Sequence, residues 1–88
     1  MRVTVTNAGS VVVAQGPGAY LIRNVTGTAT LYLEGEDPAS EAAGFAWLAS
    51  DPPLEIDLAA ARTLNGLVAS GGAAQTLHVL RGRGPAFE

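Results

Sequence analysis

The chain has 88 residues, 48% of them apolar and only 15% charged, with no cysteine, no lysine, five arginines, eight acids and a net charge of −3. That length supports one domain with one modest core. The absence of cysteine excludes disulfides and thiolate metal sites, and the acidic balance excludes the basic footprint that nucleic acid or an anionic membrane requires.

Period-two alternation of apolar residues dominates and predicts strands. In Arg2-Val3-Thr4-Val5-Thr6 the valines share one side, the turn residues Asn7 to Ser10 follow, and Val11 to Gln15 reads as the second strand of a hairpin. The apolar run Val11 to Ala14 is far shorter than that of a signal peptide. No stretch approaches the ~18 apolar residues of a membrane helix, so the expectation is a soluble chain without an export signal. After the break at Gly16-Pro17-Gly18, the runs AYLIRN (19–24) and TATLYLE (28–34) predict a second hairpin, with Gly27 supplying the positive φ of its turn. Ala29, Leu31 and Leu33 face one way, Thr28, Thr30, Tyr32 and Glu34 the other.

Residues 34–44, EGEDPASEAAG, predict a polar loop with room for one helical turn. Glu34, Glu36, Asp37 and Glu41 have the oxygen chemistry of calcium ligands, but their spacing fits no EF-hand and solvation is the simpler meaning, so no metal is assigned. Next, Phe45 and Trp47 share one side of the short strand FAWLA, which ends at Asp51-Pro52-Pro53. Such a pair either plugs a core or anchors an interface. LEIDL turns Leu54, Ile56 and Leu58 inward, and Ala59 to Leu64 is the one stretch with helix-forming composition. Asn65-Gly66 predicts a tight turn into the strand GLVAS, and the last strand, QTLHVLR, sets Leu77 and Val79 against Thr76, His78 and Leu80.

Seven or eight short strands separated by turn signals predict an all-β fold, a small antiparallel β-sandwich or barrel over residues 1–82, followed by a C-terminal tail, 83–88. The stretch GTATLYLEG has an echo in AAQTLHVLRG, and each is expected to be the second strand of a hairpin. Shared strand alternation accounts for the echo without a shared ligand.

Catalysis finds little to work with. His78 is the one base candidate, it lies mid-strand, and no Gly-x-Ser-x-Gly turn accompanies it. The paired glycines of GPGAY and GRGP lack the lysine and following helix of a phosphate loop, and the five aromatics form no stacking platform. No catalytic residue, cofactor or metal is therefore expected. A small chain this rich in apolar residues and poor in charge, against roughly 25% charged residues in an average one, is expected to contact other protein and to be a homo-oligomer. The candidate interface residues are Phe45, Trp47, Arg81, Arg83 and Phe87.

From about Tyr20 to Gly82, roughly two-thirds of the chain, the succession of TATLYLEG, a polar loop and LEIDLAAARTLNGLVASGGAAQTLHVL resembles small β-rich virion proteins of tailed bacteriophages. The resemblance implies a capsid decoration, or cement, protein, or a small head or tail accessory. It implies a β-sandwich or barrel with no cofactor and no catalytic residue. It also implies synthesis in the host cytoplasm and many copies bound to the major capsid protein lattice on the virion surface, often as a trimer at a local three-fold. The alternative is a carbohydrate- or receptor-binding sandwich using Phe45, Trp47 and the acidic loop, with Trp47 and Asp51 as its sugar platform. The position of Trp47 separates the two, because a structural role wants it buried and a sugar site wants it exposed.

Overall fold

A computed structural model of the chain describes residues 1–42 and 44–82. Eight strands follow in order: β1 (Arg2–Val5), β2 (Val11–Gln15), β3 (Gly18–Asn24), β4 (Leu31–Gly35), β5 (Phe45–Trp47), β6 (Leu54–Leu58), β7 (Thr63–Val68) and β8 (Gln75–Arg81). They form two four-stranded antiparallel sheets, ordered β1-β8-β3-β6 in the first and β2-β7-β4-β5 in the second. The expected all-β sandwich is present, and no helix occurs among the described residues.

The pairings differ from the expected hairpins. Strand β1 pairs with β8, β2 with β7, β3 with β6 and β4 with β5, so the first half of the chain runs antiparallel to the second as one ribbon rolled on itself. The additional pairs β3·β8 and β4·β7 close the two sheets. This is the wiring of a jelly roll. The expected hairpin turns at 7–10 and 25–27 lie instead in segments, 6–10 and 25–30, that carry the chain from one sheet to the other, so Thr28, Ala29 and Thr30, expected in a strand, belong to the crossover. Gly27 does have the positive φ assigned to it, 63°, and its N–H donates to the Asn24 side chain at 3.1 Å.

The expected helix at 59–64 and turn at Asn65-Gly66 are also absent. Thr63–Val68 is one unbroken strand with Asn65-Gly66 at its centre. Pairing on both sides overrides the local turn preference, Asn65 and Gly66 standing in register with Val12 and Val11 of β2 and with Glu34 and Leu33 of β4. The Asn65 amide donates to the Asp37 carbonyl at 2.8 Å, tying the strand to the loop above it. Gly66 faces an interior so crowded that a Cβ there would stand 3.0 Å from Val13 Cγ2 on the neighbouring strand β2 and 3.7 Å from Val5 Cγ1 of the opposite sheet.

Alternation then fills the interior as strand physics requires. Val5, Ile22, Leu31, Leu77, Val13 and Val68 are buried almost completely, joined by Leu33, Leu64, Val79 and Tyr20. Each fully buried side chain of this size contributes about 1.5–3 kcal/mol relative to exposure. The echoed stretches lie in different sheets, β4 in the second and β8 in the first, each between two neighbours. Their likeness reflects that shared interior position, with Leu31 and Leu33 matching Leu77 and Val79, and not a place as the second strand of a hairpin.

Candidate functional site

The sheets do not close evenly. Strand β5 has only three residues, whereas β6, the edge strand of the first sheet, has five. The inward side chains of β6, Leu54, Ile56 and Leu58, therefore remain half-buried. With Leu33, Leu64 and Phe45 they line an open groove of about 430 Å³ between the sheets. It is lined mainly by carbon, with Glu34 contributing the one charged side chain.

Phe45 and Trp47 share the inward side of β5, opposite Leu33 and Leu31 in register, but their fates differ. Trp47 is 4% exposed and its indole N–H donates to the Pro52 carbonyl at 3.2 Å. Phe45, at the uncovered end, is 66% exposed. Leu48, just past the strand, is exposed as well. Of the expected interface residues, Trp47 is thus a core residue and Phe45 a surface one. The Arg81 guanidinium donates to the Pro17 carbonyl at 2.6 Å and lies 6.0 Å from the centre of the Tyr20 ring. It braces the start of β3. Arg83 and Phe87 lie outside the described residues.

The acidic loop does structural work. Glu36 pairs with Arg62, the Asp37 carbonyl accepts from Asn65, and Ser10 Oγ accepts from the backbone of buried Ala39 at 2.9 Å. Among the described residues no three His, Asp or Glu side chains come together as metal ligands could. Asp51, the carboxylate of the supposed sugar platform, accepts a hydrogen bond from the Leu48 backbone at 2.8 Å and shapes the turn after β5.

His78 lies on the outer face of the first sheet, directly between Arg2 on β1 and Arg23 on β3. Neither register partner is a nucleophile or an orienting acid. Partial desolvation first, then the N-terminal ammonium, Arg2 and Arg23, lower its pKa from the usual 6.5. A lowered folded-state pKa means that the unfolded chain takes up the proton first as pH falls. Stability is therefore constant above the unfolded value and declines as pH drops through 6.5 toward the folded value. Melting temperatures measured from about pH 8 to about pH 5 are expected to fall below pH 6.5, and His78→Gln is expected to remove that component. An identical profile in the variant would show that other groups set the dependence.

The residues that sequence reasoning missed are those that distant pairing assembles. Gln75, at the start of β8, is fully buried and polar. The row Arg2, His78, Arg23 exists only through the β1·β8 and β3·β8 registers. Comparisons with protein families, with curated proteins and with solved structures return no match for this chain.

Proposed function

We propose that this chain is a non-catalytic structural protein that docks on a repeated protein surface and stiffens it. Its setting is the outer capsid lattice of a tailed-phage particle, where it acts as a decoration, or cement, protein after synthesis in the host cytoplasm. The observation that carries this reading is the division within β5: Trp47 is consumed by the core, while Phe45 stands exposed at the mouth of an apolar groove. A buried Trp whose N–H is already satisfied offers no platform to a sugar ring, whereas an exposed aromatic beside an apolar groove suits a protein contact. The placement of His78 between two arginines supports a role without acid–base chemistry. Jelly rolls serve in viral capsid and lectin domains alike, so the fold alone does not choose between them.

The test is co-sedimentation of the purified chain with empty capsids assembled from a candidate major capsid protein, followed by thermal melting of the particles. Binding at a fixed ratio to lattice positions, a raised capsid melting temperature and loss of both in Phe45→Ala are expected. Failure on capsids together with specific retention on an oligosaccharide array would replace this reading by the receptor-binding alternative.

A further inference from the structure

We propose that the outer face of the first sheet binds a second copy of this chain, the two copies being related by a two-fold axis that runs along the strands and brings β1 of each over β6 of the other.

The face is organised in cross-strand rows. Arg2, His78 and Arg23 stand in register on β1, β8 and β3. The next row holds Leu80 and Leu21 at its centre and Glu55 on β6. Leu21 and Leu80 are only partly covered, and with Arg23, His78 and Pro53 they line a depression of about 370 Å³. The centre of the face is thus apolar and concave, and its two edges carry opposite charge. Arg2 lies on β1, while Glu55 and Asp57 point outward from β6. Among the described residues neither Arg2 nor Arg23 takes part in a salt bridge, the pair formed being Arg62 with Glu36.

That pattern is self-complementary in one orientation. A two-fold axis along the strands exchanges the edges, so Arg2 meets the acidic edge of the second copy and the Leu21 and Leu80 pairs stack at the centre. An in-plane axis perpendicular to the strands would lay β6 on β6 and set like charges against each other. In the favoured orientation His78 lies opposite Arg23 of the second copy, and its lowered pKa keeps it uncharged there at neutral pH.

Among the described residues, the outer face of the second sheet offers no equivalent surface. The β4–β5 loop lies over it, held by Asn65 to the Asp37 carbonyl and by Glu41 to the Ser70 backbone, with Ala39 buried beneath. The two candidate surfaces are also separate on β6, which turns Leu54, Ile56 and Leu58 toward the groove and Glu55 and Asp57 toward the outer face. This pairing therefore does not depend on the capsid-binding reading.

Four strands about 4.8 Å apart and about 20 Å long present about 400 Å². That is half of the roughly 800 Å² per partner of a standard interface, so the dimer is weak and its dissociation constant is expected on the order of 10–100 μM. The experiment is sedimentation equilibrium of the full chain from about 5 μM to about 1 mM, at about 50 mM and about 500 mM salt. A monomer–dimer equilibrium that weakens several-fold with salt is expected. Arg2→Glu and Glu55→Arg should each weaken it at least about tenfold, and the double exchange should restore most of the affinity. Both positions are exposed, and unchanged circular dichroism would verify that the variants fold. A monomer across the whole range, a trimer, or a dimer indifferent to both single substitutions would overturn the proposal.

Discussion

Gln75→Leu is expected to lower the melting temperature by about 10–25 °C, the equivalent of about 2–4 kcal/mol in a domain of this size. The side chain is fully buried at the start of β8 and holds two connections at once. Its Oε1 accepts from the Asn24 amide at 3.1 Å and from the backbone N–H groups of Thr28 and Ala29 at 3.0 and 3.2 Å. Its Nε2 donates to Thr28 Oγ1 and the Ala73 carbonyl, both at 2.9 Å, and more distantly to the Ala74 carbonyl at 3.2 Å. Leucine fills a similar volume but satisfies none of these groups. A buried donor or acceptor left without a partner costs about 1–3 kcal/mol. Thr28 is exposed, so water can reach part of the network, which places the total below the sum of the separate losses. Thermal unfolding followed by circular dichroism measures the loss, and hydrogen exchange locates it. The Thr28 and Ala29 amides should lose protection before those of β3 and β4. A melting temperature within about 3 °C of the parent would show that the crossover between the sheets does not depend on this residue.

Gln75 also marks where sequence reasoning stops. Alternation puts it on the same side as Leu77 and Val79, but nothing in the local sequence shows what a buried amide there would bond, because its partners at 24–29 are distant in the chain. What was legible is the direction of side chains. Leu31 and Leu33 on β4, Leu77 and Val79 on β8, and the three inward residues of β6 all face as alternation requires. The partners of each strand were not legible, because a hairpin and a rolled ribbon present the same period of two and differ only in which edges meet. At Asn65-Gly66 local turn preference was misleading, since the segment is held extended by pairing with β2 and β4 and by the Asn65 bond to Asp37, all distant in the chain. The same limit applies to the candidate surfaces. Phe45 and Trp47 could be recognised as a pair, but only the short reach of β5 over β6 leaves one exposed and the other covered. The charged row on the outer face needs three strands brought together before it exists.

The largest single loss of stability is expected from Trp47→Ala, about 3–5 kcal/mol, a drop in melting temperature of about 15–30 °C. An 88-residue domain has a total stability of about 4–13 kcal/mol, so this variant approaches the limit of folding. Two terms combine: a cavity opens opposite Leu31, and the Pro52 carbonyl loses its indole donor at the turn leading into β6. Trp47→Phe separates them, because it fills most of the space and forfeits the hydrogen bond, for an expected cost of about 1–2 kcal/mol. Phe45→Ala, two residues away on the same side of the same strand, is expected to cost less than about 1 kcal/mol, because the ring is already largely in solvent. Chemical denaturation of the three variants ranks them directly. If Phe45→Ala proved as costly as Trp47→Ala, Phe45 would belong to the core and the groove would have no exposed aromatic to offer a partner. If Trp47→Ala left stability unchanged, the indole would not be the plug between the sheets and the case against a sugar platform would fall with it. The expected ranking, with loss of capsid binding confined to Phe45→Ala among the stable variants, assigns one aromatic of β5 to holding the sandwich together and the other to contact with its surroundings.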